Sequence, residues 1–314
     1  MDLASEILST DKRIAPFVRS TPVLEVAPDD FGLTTPFRLF LKLELFQRSG
    51  SFKARGAAAN LALRTIPTAG VAAASGGNHG AAVADAAALR GIPATIFVPE
   101  IAARAKIDRI AASGAKLVVA GARYADALEN CARHCRATGA LNIHAYDARE
   151  TILGQATLGL EIDRQMRAGP GPADSVIAAV GGGGLLSGMS AYFSRSAELV
   201  AVEPKTASTY AAAKAAGGPV DIEVGGIAAD SLGARRIGHR NFEILSANEV
   251  AAVQVDDDEI VEAQKALWRH CRIVAEPGGA AALAALLGGR IAPPPASRVV
   301  VVVCGGNVDG VSFG

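Results

Sequence analysis

Short apolar runs alternate along the chain with alanine-rich stretches whose apolar positions recur at helical period. Residues 38–43, 70–74, 94–98, 116–120, 175–180, 198–203 and 298–304 read as strands. Residues 78–90, 102–113, 124–138, 185–194, 257–271 and 278–287 read as helices. The strands are apolar throughout rather than alternating. They are therefore expected to be buried on both faces, as in parallel sheets covered by helices. Two sheet-forming blocks follow. One spans residues 68–147 and holds three βα units; the other is split before and after it. The fold class is α/β, with two open, mostly parallel sheet domains: a large one from residues 1–67 and 148–314, and a small inserted one from 68–147. The proline-rich stretch at 293–295 reads as a tight linker before the last strand.

Composition narrows the class. Half of the 314 residues are hydrophobic and a fifth are charged, an ordinary balance for a globular protein with a large core. Lys plus Arg equals Asp plus Glu at 31 each. Without a basic excess, neither nucleic acid nor an anionic membrane is expected as partner. The first ten residues carry Asp2 and Glu6, unlike a signal peptide. The uncharged stretch 175–194 contains four consecutive glycines and reads as strand, loop and helix start rather than a membrane span. A cytoplasmic location with free thiols is expected. Cys131, Cys135, Cys271 and Cys304 match no zinc spacing. Cys131 and Cys135, with His134 between them, read as thiols on one helix rather than a metal site.

Four segments carry candidate chemistry. In 49–56, Ser51 is placed to cap a helix running to Leu63. Lys53 then sits in its first turn beside Phe52. A lysine there loses hydration, its pKa falls, and its amine can attack an aldehyde. Alone, the segment reads better as a surface lysine snorkelling from a helix start. In 75–80, Ser-Gly-Gly-Asn-His-Gly joins a strand to a helix; it is either a loop whose N–H groups converge on an anion or a plain turn with His79 as polar cap. Gly181, Gly182, Gly183 and Gly184 stand at a strand-to-helix junction and form a nest suited to phosphate. A dinucleotide site is the competing reading, with Glu203 as ribose-binding acid. Its glycine spacing fails, because the third glycine position is Ser187 or Leu186. Cys304-Gly305-Gly306-Asn307 follows the last strand; the thiol either faces a ligand ring or is a buried small hydrophobe.

In order and spacing these segments resemble the fold-type-II pyridoxal-phosphate family, most closely its threonine dehydratase, serine dehydratase and serine racemase branch. The resemblance runs from about Thr21-Pro22 to Gly310. It implies pyridoxal 5'-phosphate in the cleft between the domains. Lys53 would hold it as a Schiff base and then act as base on the substrate α-carbon. Phe52 would pack on the ring, and Asn78 would bond its hydroxyl. The backbone amides of Ser75, Gly76, Asn78 and His79 would take the substrate carboxylate. Gly181 to Gly184 would cradle the phosphate. Cys304, a neutral partner for the ring nitrogen, would leave that nitrogen unprotonated and favour prompt loss of a β-hydroxyl.

The implied reaction converts a small β-hydroxy amino acid, such as L-threonine or L-serine, to a 2-oxo acid and ammonia. A homodimer is expected. The resemblance also puts Glu203 and the carbonyl of Ala207 at the branch's divalent or monovalent cation site, but the second carboxylate of that site falls at Thr209, which leaves a cation open. The serine that serves racemases as second base is Gly76 here. Residues 227–238 depart from the branch's Ala-Asp-Gly pattern, which leaves the substrate open. With the chain ending at Gly314, the regulatory domain of biosynthetic threonine dehydratases is not expected. β-Replacement, racemisation and, from another class, a nucleotide-binding oxidoreductase or a non-catalytic binding protein remain alternatives. His79 argues against β-replacement, whose enzymes resemble Ser-Gly-Asn-Thr at that loop.

Overall fold

A computed structural model describes residues 2–102 and 104–308. In chain order the elements are α1 (Leu3–Ile14), β1 (Val23–Val26), β2 (Arg38–Lys42), α2 (Lys53–Leu63), β3 (Val71–Ala74), α3 (Asn78–Leu89), β4 (Ala94–Val98), α4 (Arg104–Ala112), β5 (Lys116–Val119), α5 (Tyr124–Thr138) and β6 (Leu141–Asn142). They continue with α6 (Arg149–Arg167), β7 (Ser175–Ala179), α7 (Gly184–Phe193), β8 (Glu198–Pro204), α8 (Thr209–Ala216), α9 (Ala229–Leu232), α10 (His239–Ala247), β9 (Ala251–Val255), α11 (Asp257–Cys271), α12 (Pro277–Leu287) and β10 (Arg298–Val302).

Two sheets result, as the apolar strand pattern requires. The larger has the order β1-β2-β10-β7-β8-β9 and is parallel except for the β1–β2 pair. It draws strands from both sides of the smaller sheet in sequence. The smaller has the order β5-β4-β3-β6 and is parallel throughout. Its fourth strand, β6, adds a two-residue edge to the three expected βα units.

The central strands β7, β8 and β10 are buried on both faces. That burial explains why they read as continuous apolar runs. Helix α12 is alanine-rich on all sides, and residues 278–286 are all buried. Small side chains let it approach the large sheet closely. Among the described residues no helix is long and apolar enough to cross a membrane.

The pattern leaves α6 unmarked. Its buried face carries Thr151, Gly154, Gln155, Thr157 and Gly159 among the apolar residues, which blurs the amphipathic period. Strand β9 is an edge strand of mostly intermediate burial, with little apolar signature. In both sheets the loops after β3, β7 and β10 leave the carboxyl ends of parallel strands, where open α/β sheets place their ligands.

Candidate active site

Two segments far apart in sequence are stitched together. The Phe52 N–H donates to the Cys304 carbonyl, the Gly306 N–H donates to Gly50 O (both 3.0 Å), and Ser51 bridges Gly305. The approach requires glycine. A Cβ on Gly305 would collide with the Glu276 carboxylate, and one on Gly50, held at φ 76°, would collide with the Asn307 amide. Ser51 does not cap the helix. It is extended at φ −161°, Phe52 takes the cap position, and the Ser51 hydroxyl is buried without a partner. The bridge to Gly305 decides this, because it holds residue 51 in sheet geometry.

Lys53 is the first residue of α2. Its Nζ lies 5.0 Å from the Phe52 ring centre and 6.0 Å from that of Tyr146, and it donates to Ala145 O at 2.9 Å. Desolvation lowers its pKa from 10.5 to about 8, against the raising influence of Cys304 and Glu276. The amine is a usable nucleophile near neutral pH, unlike the surface lysine that the segment alone reads as. We expect uptake of pyridoxal phosphate by cofactor-free protein to speed up as pH rises and to level off above about 8. A surface lysine would still be protonated there. Uptake followed by absorbance across pH tests this; a rate still climbing to the ordinary lysine value of about 10.4 would refute it.

Behind Lys53 lies a buried ionic cluster. Arg55 grips Glu44 with two bonds of 2.8 Å and reaches Glu161 at 2.9 Å. Lys42 Nζ binds Glu161 at 2.6 Å, Thr21 O at 2.7 Å and Gln165 Oε1 at 2.8 Å. The Thr21 hydroxyl donates to Glu44 at 2.5 Å. Two cations thus face two carboxylates, and the turn bearing Lys53 is tied to the end of β2 and to α6.

The loop after β3 contributes the second wall. The Gly77 N–H donates to Ser75 Oγ at 3.2 Å. The first-turn N–H groups of α3 have no intrahelical acceptor and can take an anion. Asn78 donates through Nδ2 to Glu276 Oε1 at 2.6 Å, and its Oδ1 accepts from Asn307 Nδ2 at 2.7 Å. Asn307 is itself held by Ser49 O at 2.7 Å. The His79 side chain serves the small sheet, with Nε2 pairing with Ile143 O at 2.8 Å. Burial, reinforced by Lys53, takes its pKa down to about 3, so it is neutral. With Nε2 held by Ile143 O, its backbone N–H is the donor nearest to hand for an anion at the start of α3. A Cβ on Gly76 would point at Ala102 Cβ (2.9 Å) and Val98 Cγ1 (3.0 Å).

The glycine loop after β7 is set from behind. Gly181 O accepts from the Thr209 hydroxyl at 2.5 Å. Gly182 O accepts from Asn241 Nδ2 at 2.7 Å and the Gly238 N–H at 3.1 Å. In a planar trans peptide C=O and N–H point oppositely, so gripping these carbonyls aims the N–H groups of Gly182 and Gly183 the other way. Gly183 is left-handed at φ 88° and caps α7, and the Tyr146 ring lies where a Gly182 Cβ would stand. The Cys304 thiol donates to Gly278 O at 3.3 Å. Burial, then Glu276, pushes its pKa far above the usual range, so it is a neutral thiol.

Glu203 is buried at the end of β8, and burial raises its pKa to about 7 against the bonds from the Tyr210 and Ala211 N–H groups. Its oxygens accept from the Tyr210 N–H (2.7 Å) and the Ala211 N–H (2.9 Å). Ala207 lies in the preceding turn. Among the described residues no group of three or more His, Cys, Asp or Glu could hold a metal. A cation beside Glu203 would meet the positive end of α8, so these residues do not fit one.

Glu276, Asn241 and Tyr146 stand in none of the four glycine-rich or lysine segments, and Asn307 ends the last of them without a role of its own. Their partners are 198, 59, 36 and 229 residues away for the contacts with Asn78, Gly182, Gly182 and Asn78. Only Glu276 carries a local signal, an acid directly before a Pro-Gly-Gly helix start. Cys131 and Cys135 are free thiols on α5, and His134 packs on Phe97.

These residues fit pyridoxal 5'-phosphate. An amine of lowered pKa, an aromatic face, a neutral thiol and an N–H nest converge at the carboxyl ends of the strands. The pyridoxal-phosphate dependent enzyme family matches residues 14–305. The chain is 35% identical over 314 residues to a phenylserine dehydratase of Ralstonia pickettii, covering 98% of this chain and 94% of that one. It is 34% identical over 279 residues to a serine racemase of Oryza sativa subsp. indica, covering 87% and 80%. A solved threonine deaminase from T.th. superposes with a TM-score of 0.90 at 32% identity, covering 98% and 99%. The chain therefore belongs to the pyridoxal-phosphate dependent enzymes of fold type II, in the branch of threonine/serine dehydratases and serine racemases.

Proposed function

We propose that this enzyme is a dehydratase that converts a small β-hydroxy amino acid, L-threonine or L-serine or a close relative, to a 2-oxo acid and ammonia. Residues 68–147, as a small inserted domain, and the remainder close the cleft around the substrate. The cofactor supplies the electron sink that makes the substrate α-proton removable. Lys53 would hold the cofactor, and its amine is the base that would take the α-proton. The N–H groups of Ser75, Gly76, Asn78 and His79 bind the substrate carboxylate. Asn78, fixed by Glu276 and Asn307, orients the ring through its hydroxyl. Cys304, a neutral thiol, would be the partner of the ring nitrogen. The N–H groups of Gly181 to Gly184 hold the phosphate.

One observation carries the choice of elimination over racemisation. Elimination needs one base at the α-carbon, whereas racemisation needs a second proton carrier on the opposite face. The position that carries a serine in racemases is Gly76, whose Cβ direction is occupied by Ala102 and Val98. A dehydratase and a deaminase among the relatives support the same reading, and the serine racemase keeps racemisation as the second one. The test is to incubate L-serine and L-threonine with the enzyme, assay 2-oxo acid, and resolve the remaining serine by chiral chromatography. We expect 2-oxo acid to dominate. D-Serine forming as fast as pyruvate would overturn the assignment. Gly76→Ser alone must displace Ala102, so the variant that probes the racemase geometry is Gly76→Ser with Ala102→Gly.

A further inference from the structure

We infer that Glu203 and Thr209 replace the cation of the branch with a protein-only device that positions the phosphate loop. The inference rests on the proposed cofactor site. Helix α8 lacks a side-chain cap from Ser208, its own N-cap residue. Glu203 supplies the cap from the neighbouring strand, one oxygen to each of the second and third helical N–H groups, at 2.7 and 2.9 Å. This leaves the first helical residue, Thr209, between the carboxylate and the glycine loop. Its hydroxyl lies 2.5 Å from Gly181 O and 3.3 Å from Glu203 Oε1. A hydroxyl has one proton, and the shorter contact assigns it to Gly181 O. Because peptide C=O and N–H oppose one another, holding Gly181 O turns the Gly182 N–H toward the ligand side of the loop.

A bound cation would have to share Glu203 with two N–H donors whose dipoles oppose it. An aspartate or glutamate at position 209 would bring a second negative charge to the same carboxylate. Threonine brings no charge there, and its one proton goes to Gly181 O. Glu203 and Thr209 are thus positioning residues, acting on the phosphate through Gly181.

The test measures pyridoxal phosphate affinity by absorbance titration, and the thermal midpoint of cofactor-free protein, with EDTA and with added Mg²⁺, Ca²⁺ or K⁺. For the wild type we expect neither quantity to change with any of these. Thr209→Val should weaken cofactor binding about tenfold, the value of one well-placed hydrogen bond, and Thr209→Ser should restore it. Glu203→Gln, although isosteric, should lower the midpoint of the cofactor-free protein, because its amide would set a donor against an N–H donor. A cation that tightens cofactor binding or raises the wild-type midpoint would overturn the inference. So would Thr209→Val with wild-type affinity, which remains decisive if the Glu203 variant does not fold. A wild-type protein that binds no pyridoxal phosphate would instead sink the proposed function.

Discussion

Replacing Lys53 by alanine should reduce 2-oxo acid formation by more than about 10⁴-fold, because one substitution removes both the covalent anchor and the base. The other buried lysine at the site, Lys42, cannot substitute. Its Nζ is fully buried and held by Glu161, Gln165 and Thr21 O, whereas Lys53 is presented between the Phe52 and Tyr146 rings. Borohydride reduction of the holoenzyme followed by peptide mapping should place the adduct on Lys53. An adduct on Lys42, or residual turnover within tenfold of wild type in the alanine variant, would refute the assignment. The mutant should keep its fold, since Lys53 opens a helix whose buried contacts come from residues 54–61.

Arg55→Met should destabilise the protein by about 3–5 kcal/mol, the usual cost of stranding buried charges. Glu44 is 0% and Arg55 1% exposed, and their two bonds would go at once, together with the link to Glu161. The loss is a large part of a typical stability of about 5–15 kcal/mol. Urea unfolding of the cofactor-free protein measures it. Combining Arg55→Met with Glu44→Gln should cost less than the sum of the single changes, because the second removes the carboxylate the first left unpaired. A loss under about 1 kcal/mol for Arg55→Met would show that the cluster does not hold this turn. Such stranding would act on the site too: the guanidinium lies two residues beyond Lys53 and fastens the same turn to β2 and α6.

The central strands of both sheets were legible because burial on two faces leaves an unbroken apolar run, as in β4, β7 and β10, whereas the edge strands β1, β6 and β9 were not. The loops that carry the site were legible because glycine clusters at strand ends have few other uses. The start of α2 was not. Ser51 has the chemistry of a cap, but its backbone is claimed by Gly305, more than 250 residues away. Nor was the fate of His79 legible, since a histidine beside a glycine loop looks available until Ile143 takes its ring nitrogen. Long-range partners of this kind leave no period and no spacing in the chain.

Local events were settled by the order of residues alone: which runs become buried strands, where glycines permit a nest, and which lysine stands beside an aromatic at a helix start. These depend on side-chain polarity and on backbone freedom within a few residues. The electrostatics and the aim of the groups came from the folded arrangement. Burial lowers the Lys53 pKa to about 8 and keeps the Cys304 thiol protonated. Glu276 and Asn307 orient Asn78, and Asn241 and Thr209 turn the glycine loop. Glu203, matched to a cation ligand by the family resemblance alone, caps α8. Desolvation and hydrogen-bond direction depend on what surrounds a group in space, and those neighbours come from segments the local sequence does not contain.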